Sequence, residues 1–209
     1  MLTGAGERAK RSFDIAGALA GILLCFPLLV LIALLVYFDS PGGVTYRGAR
    51  TGKDSKVFRI FKFRTMVADA ERRGGGSTAK DDPRVTRIGW MLRRYKLDEL
   101  PQLFNVLRGE MSFVGPRPEL PRYTQLYTGD ETLILSIRPG ITDYASLQLF
   151  QLSEALGPVD ADRVYEERYL PEKNALRVKY VKEQSLAGDF AIFARTIWRV
   201  VSPKSYAQR

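Results

Sequence analysis

The chain has 209 residues, with 32 Lys and Arg against 23 Asp and Glu and a net charge of +9 at neutral pH; this length fits one domain with room for an appendage. It has no histidine and a single cysteine, Cys25, which excludes an imidazole base, a Ser-His-Asp triad, a His-built zinc site, a haem proximal His, an intrachain disulfide and a C-x-x-C pair. Chemistry must then use carboxylates, Arg, Lys, Ser, Thr, Tyr or an oxygen-held metal, and the basic excess suits nucleic acid, anionic lipid or a phosphorylated small molecule.

From Ile15 to Phe38 the chain carries no charge, and about 24 helical residues reach roughly 36 Å, more than the ~30 Å hydrocarbon core of a bilayer. No polar stripe interrupts the run, so a membrane segment fits better than a buried core helix. A signal peptide fits less well, because the run is too long and no A-x-A-like site closes it. Arg8, Lys10 and Arg11 precede the segment, and Arg47, Arg50, Lys53, Lys56, Arg59, Lys62 and Arg64 follow it. The positive-inside rule puts both flanks on the cytoplasmic side, which a straight span cannot satisfy. Pro27 lies near the middle, so the expected form is a re-entrant helix broken at Phe26 and Pro27, with a kinked spanning helix as the alternative. Cys25 reads as a small apolar residue within it.

Asp39-Ser40-Pro41-Gly42-Gly43 ends the run with turn formers and divides an anchor, 1–43, from a globular part, 44–209. Val44–Arg47 and Val57–Phe63 have strand character and are expected to form a hairpin, with Gly48–Lys53 as its connection. A short helical stretch is expected at Val67–Arg72, followed by a loop through Gly74-Gly75-Gly76-Ser77 and Lys80-Asp81-Asp82-Pro83. No Walker pattern occurs in the chain.

Charge-bearing residues are densest in Arg93-Arg94-Tyr95-Lys96-Leu97-Asp98-Glu99-Leu100-Pro101-Gln102. Asp98 suits a helix N-cap and Pro101 the first turn, with Leu100, Leu103, Phe104 and Leu107 on one helical face. An acidic pair ringed by cations at a helix start suits a nucleophile or Mg²⁺ ligand meeting a phosphoryl group. N-cap carboxylates with solvated basic neighbours are the plainer alternative. Downstream, Arg117 stands between Pro116 and Pro118, where a stiff backbone fixes a guanidinium fork for a phosphate or simply forms a surface turn. Val159–Val200 reads as helical, with Asp160-Ala161-Asp162 opening one helix and Pro171 interrupting before another. Its segment from Phe190 to Val201 suits either the lipid interface or core packing.

Taken in order, Lys10-Arg11-Ser12-Phe13-Asp14, Asp39-Ser40-Pro41-Gly42, Phe61-Lys62-Phe63-Arg64-Thr65-Met66, Leu97-Asp98-Glu99-Leu100-Pro101-Gln102, Gly115-Pro116-Arg117-Pro118 and Pro139-Gly140-Ile141-Thr142 resemble the bacterial sugar transferases, monotopic phosphoglycosyl transferases. The resemblance implies a helix-rich mixed α/β fold: a re-entrant membrane helix, then a compact cytoplasmic catalytic domain with a small β-hairpin and amphipathic interfacial helices, at the bacterial inner membrane. It implies transfer of a sugar 1-phosphate from a nucleoside diphosphosugar, a UDP-sugar by resemblance, to polyprenyl phosphate, with release of UMP. Asp98 would be the nucleophile that carries the phosphosugar, and Glu99 would hold Mg²⁺, with Asp98 beside it, or assist proton traffic. Arg93 and Arg117 match phosphate-binding positions, and Lys62 and Arg64 are weaker assignments to the same pocket. The implied partners are these substrates and the bilayer, without nucleic acid, and self-association is left open.

Two departures stand out. Phe26 occupies the place where the family usually has Ser before the proline, and Asp143-Tyr144-Ala145-Ser146 stands where relatives often carry Gly-Trp. The competing reading is a basic, membrane-tethered binding or scaffold protein for anionic lipid or nucleic acid, which would not need Asp98, Glu99 and Arg117.

Overall fold

The computed structural model describes Leu2 and residues 4–70, 82–148 and 161–202. It opens with helix α1 (Gly4–Asp39), followed by four short strands, β1 (Thr45–Tyr46), β2 (Ala49–Thr51), β3 (Val57–Arg59) and β4 (Lys62–Phe63). Next come α2 (Arg87–Arg94), α3 (Gln102–Arg108), β5 (Ser112–Val114), α4 (Pro121–Thr124), β6 (Gly140–Thr142) and α5 (Tyr144–Gln148). The last described stretch holds α6 (Ala161–Val164), α7 (Leu170–Glu183) and α8 (Leu186–Val201). The fold is thus mixed α/β and helix-rich, with a long apolar N-terminal helix.

Along α1, Asp14, Ala18, Leu29, Ile32 and Val36 are buried on a single stripe. Ala18 joins the main core with Val106, Phe113, Tyr180 and Ile192, whereas Leu29, Ile32 and Val36 pack on Phe63 and Leu92. The opposite face exposes Leu19, Leu23, Leu24, Phe26, Leu31, Leu34 and Phe38. A helix facing water would carry polar residues there, so this face is matched to lipid. The expected break at Phe26 and Pro27 is not an interruption: the backbone is helical from Gly4 to Asp39 with Pro27 inside. Proline removes one donor, and the turns on either side carry the helix past it.

Both ends of α1 are tied to the globular part. Arg11 donates to the carbonyls of Val106 and Leu107 at 2.7 and 3.0 Å, at the C-terminal end of α3. Asp14 accepts from the Ser112 hydroxyl and the Phe113 amide of β5 at 3.0 and 3.1 Å, and Lys10 pairs with Asp189 of α8 at 2.5 Å. At the far end, Asp39 accepts from the Ile88 amide in the first turn of α2 at 3.2 Å. Two of the three cations in the N-terminal flank, Lys10 and Arg11, therefore hold α1 to the globular part.

The hairpin forms as an antiparallel ribbon, β1 with β4 and β2 with β3. Its expected connection is corrected. Ala49–Thr51 is a strand, and the chain reverses one step later, where the Gly52 amide donates to the Lys56 carbonyl at 2.8 Å. Buried Thr51 explains the shift, since its hydroxyl bonds to that of Thr124 at 2.7 Å. The helical stretch expected from Val67 reduces, within its described part, to a turn closed by Ala70 on Val67. The glycine run at 74–76 lies outside the described residues.

Parallel strands β5 and β6 bring Gly115-Pro116-Arg117-Pro118 against Pro139-Gly140-Ile141-Thr142, with Ser112 opposite Gly140 and Val114 opposite Thr142. The backbones touch so closely that a Cβ on Gly140 would lie 2.1 Å from the Gly115 nitrogen. Only glycine permits this approach.

Pro171 does not interrupt the C-terminal region. Helix runs from α6 through a π-helical turn, Tyr165–Tyr169, into α7, whose first turn accepts the proline because its amide is not needed there. The break falls instead at Gln184-Ser185, where the Ser185 side chain caps α8. On α8, Ile192 is buried whereas Phe190, Ile197 and Trp198 are exposed, so this helix packs on the core and also presents an apolar face outward.

Candidate active site

Asp98 and Glu99 sit in a single 3₁₀ turn, Leu97–Glu99, entered through Lys96 in the left-handed region at φ 57°. Asp98 is therefore not the N-cap of α3; Pro101 holds that position, and the carboxylates precede the helix by a full turn. The tight turn sends the two side chains in different directions. Glu99 is caught between Lys62 of β4, at 3.0 Å, and Arg117, both on Oε1. Burial alone would raise the Glu99 pKa, but the Arg117 and Lys62 charges outweigh it and hold the group far below the usual carboxylate range.

Asp98 contrasts with its neighbour. It is 7% exposed, and its Oδ1 is buried without a hydrogen-bond partner. Burial pushes its pKa up; Lys62, Lys96 and Arg93 pull against that, and the Glu99 charge adds to it. Adjacent carboxylates are thus driven apart, one firmly ionised and one held basic and unpartnered, a pattern typical of sites where two carboxylates take different roles.

The cations are positioned from separate elements. Lys62 is set by buried Asn105 of α3, which accepts from the Phe61 amide and donates to the Arg59 carbonyl, both at 2.9 Å, clamping the β3–β4 segment to the helix after the acidic pair. Burial lowers the Lys62 pKa, with Glu99 opposing. Arg93, in the last turn of α2, donates through Nε to Thr65 at 2.7 Å, so the rest of its fork stays outside that bond, and Asp98 is an electrostatic neighbour. Arg117 donates to the Ile141 carbonyl at 2.8 Å, while its amide donates to Asp143 at 2.9 Å.

Arg64 goes elsewhere. It donates to the Pro41 and Ser40 carbonyls at 2.9 and 2.6 Å and to the Ser40 hydroxyl at 3.0 Å, closing the turn after α1. The structure thus brings Asp98, Glu99, Lys62, Arg93 and Arg117 together and gives Arg64 to the anchor. Phe26 and Pro27 lie in the exposed middle of α1.

A cleft of about 760 Å³ reaches Glu99 and Arg117 of this cluster. Lys96, Glu99 and Arg117 line its polar end, and Phe13, Gly17, Leu103, Phe113, Phe193 and Ile197 from α1, α3, β5 and α8 line its apolar end. No group of three or more metal-ligating side chains occurs among the described residues. The donor set still fits one hard cation, because Asp98 Oδ1 is unpartnered and Glu99 leaves its second oxygen outside its two bonds. Mg²⁺ is commonly held by one or two carboxylates plus substrate phosphates.

Sequence reasoning passed over two positioning residues. Asn105 is a polar residue interrupting the apolar pattern of α3, the signal that could have found it. Asp143, buried at 1% exposure, holds the Arg117 amide on Oδ2 and the Ser146 amide on Oδ1, the latter at 2.6 Å. In the sequence it stands out only as a departure from the family pattern.

A buried carboxylate pair with opposed pKa shifts, whose Glu99 lines with Lys96 and Arg117 a cleft that continues onto the apolar face of α1, suits phosphoryl-group chemistry. The chain belongs to the bacterial sugar transferase family, whose model matches residues 5–203. It is 37% identical over 202 residues to the UDP-glucose:undecaprenyl-phosphate glucose-1-phosphate transferase of Escherichia coli K12, covering 95% of this chain and 41% of that protein. It is 38% identical over 207 residues to the exopolysaccharide production protein ExoY of Rhizobium meliloti, covering 92% and 85% respectively. With the undecaprenyl-phosphate glucose phosphotransferase of Komagataeibacter xylinus, identity is 43% over 145 residues, covering 66% of this chain and 27% of the relative. The chain thus spans less than half the length of two of these relatives.

Proposed function

We propose that this chain transfers a sugar 1-phosphate from a UDP-sugar to undecaprenyl phosphate in two steps through Asp98, initiating assembly of a lipid-linked polysaccharide. The relatives' names support the substrates and product class. The observation that carries the mechanism is the buried, unpartnered Oδ1 of Asp98 amid Lys62, Lys96 and Arg93. In the first step an Asp98 oxygen attacks the β-phosphorus of the donor. The bond from that phosphorus to the bridging oxygen breaks, and its electron pair leaves with UMP. In the second step a phosphate oxygen of the lipid attacks the same phosphorus and the Asp98 carboxylate departs, leaving a lipid diphosphosugar. Arg117, Arg93 and Lys62 are positioned to offset charge on the equatorial oxygens in both steps. Mg²⁺, when bound by Asp98 and Glu99 with the donor phosphates, supplies further charge neutralisation.

The membrane reading is that α1 stays helical but bends at Pro27, and so enters and leaves by the cytoplasmic face of the inner membrane. Lys10, Arg11 and Asp14 at one end and Asp39 at the other bind the same globular part, whereas a spanning helix separates its ends by the ~30 Å hydrocarbon core. Labelling of engineered cysteines at Gly4 and Gly43 in sealed vesicles checks this; opposite sidedness overturns it. The enzymatic test is Mg²⁺-dependent UMP release from a panel of UDP-sugars by nanodisc-held protein, with and without undecaprenyl phosphate, beside Asp98→Asn. Lipid-dependent turnover that vanishes in the variant is the expected result. Undiminished turnover in Asp98→Asn refutes the covalent route, and retained membrane binding without turnover from any donor favours the scaffold reading.

A further inference from the structure

Beyond the acidic pair, the cleft has a second polar wall. Glu119, Tyr165 and Lys173 all line it, and none takes part in the reaction as derived above. The Lys173 Nζ donates to the Tyr165 hydroxyl at 2.7 Å and lies 3.4 Å from Glu119 Oε1. Tyr165 in turn donates to Glu119. Arg177, fully buried, donates to the same Glu119 oxygen at 2.8 Å and stands 3.6 Å from Asp143, the residue that holds the Arg117 amide. A continuous chain of ion pairs and hydrogen bonds therefore runs from Glu99 through Arg117, its backbone amide, Asp143, Arg177 and Glu119 to Lys173.

Within this chain Lys173 is not needed to neutralise Glu119, because Arg177 already does so at shorter range. The ammonium has three donors, and Tyr165 takes one, with Glu119 a long second partner. Its position also depends on an irregular backbone. The π-helical turn Tyr165–Tyr169 adjusts the helical register just before α7, and such turns are frequent at functional sites. Across the cluster the cations Lys62, Arg93, Lys96, Arg117, Lys173 and Arg177 outnumber the carboxylates Asp98, Glu99, Glu119 and Asp143, a charge excess that suits an anionic ligand.

We propose that Lys173, held by Tyr165 and Glu119 in the wall of the cleft, is a second phosphate-binding residue that contacts a phosphate group of a substrate while Asp98 meets the reacting phosphorus. This rests on the transferase reading for the identity of the substrate, and on geometry for the site. Burial pulls the Lys173 pKa down to about 8, against the opposing pull of Glu119. The fold thus bears a cost to keep this ammonium in the wall, whereas a phosphate would stabilise it.

The test has two stages on the full chain in detergent micelles or nanodiscs. Calorimetric titration with inorganic pyrophosphate compares the wild type with Lys173→Met, Lys173→Arg and Tyr165→Phe. Lys173→Met is expected to weaken binding about ten-fold or more, with Lys173→Arg between it and the wild type, and with melting temperature held or raised because Arg177 still pairs with Glu119. Tyr165→Phe, which keeps the ring beneath Nζ but removes the hydroxyl that orients it, is expected to weaken binding about three-fold and carries the test if Lys173→Met does not fold. Steady-state turnover then separates the sources. A raised KM for the UDP-sugar with little change in kcat assigns the phosphate to the donor, and a raised KM for undecaprenyl phosphate assigns it to the lipid. Wild-type pyrophosphate affinity in the variants, or no change in either KM, overturns the proposal. Pyrophosphate binding lost in Lys173→Met, in a protein whose wild type turns over no donor, defeats the transferase reading and leaves the phosphate site standing.

Discussion

Asn105→Ala would remove the clamp that holds Lys62 opposite Glu99. Asn105 is fully buried, accepts from the Phe61 amide and donates to the Arg59 carbonyl, each at 2.9 Å, and to Glu110 at 2.7 Å. Stranding a buried polar group costs about 1–3 kcal/mol. Phe61 is buried, so its amide bears the full cost, whereas Arg59 is exposed and its carbonyl has water within reach. The truncated side chain also leaves a small void. Together these give a loss of about 2–4 kcal/mol, equivalent to about 5–15 °C in melting temperature for a chain of this size. Lys62 follows Phe61 directly, so release of the clamp lets its ammonium drift from Glu99, and kcat for UMP release is expected to fall about ten-fold. Asn105→Asp keeps the acceptor for Phe61 but sets a second carboxylate against Glu110, and is expected to be as unstable at neutral pH and to recover on acidification. Thermal unfolding at matched scan rate and UMP release on the same preparations check both. A loss below about 1 kcal/mol in Asn105→Ala, or wild-type kcat despite the expected loss, refutes the clamp.

Glu99→Gln leaves Lys62 and Arg117 without their shared anion, and kcat is expected to fall about a hundred-fold or more while the protein still partitions into membranes; near-wild-type turnover would remove Glu99 from the machinery. The proposed mechanism needs Asp98 ionised to attack, and burial raises its pKa, so single-turnover UMP release is expected to rise with pH, with its inflection above the usual carboxylate range of about 4. A profile already flat at the bottom of the stable range contradicts that. Arg64→Met is expected to lower melting temperature, because its bonds to Ser40 and Pro41 are lost, while KM for donor and lipid stays unchanged; a raised KM would return Arg64 to the substrate pocket.

Local signals made much of this protein legible. A charge-free run long enough to cross a bilayer, basic flanks on both sides of it, and an acidic pair beside arginines were readable because hydropathy and charge depend on composition over a few neighbouring residues. The strand character of Val57–Phe63 was readable for the same reason. Nearest-neighbour patterning was less reliable at boundaries. Ala49–Thr51 is a strand because Thr51 finds Thr124, far along the chain, and Pro171 fails to end a helix because a π turn precedes it. The acidic pair stands in its own 3₁₀ turn instead of capping α3, a distinction of a few dihedral angles that leaves no compositional trace.

The sequence by itself determined that the chain carries a long apolar segment, a cationic surround and two adjacent carboxylates, since each is a property of residue type. Only the tertiary structure decided which carboxylate is free. Glu99 is claimed by Lys62 and Arg117, while Asp98 is buried without a partner for its Oδ1, because contacts from β4 and from the β5–β6 junction converge on one side of a single turn. It likewise assigned Arg64 to the anchor, Asp143 to Arg117, and Lys173 to the cleft wall. Such assignments depend on distances between residues far apart in the chain, and those distances exist only once the core has closed.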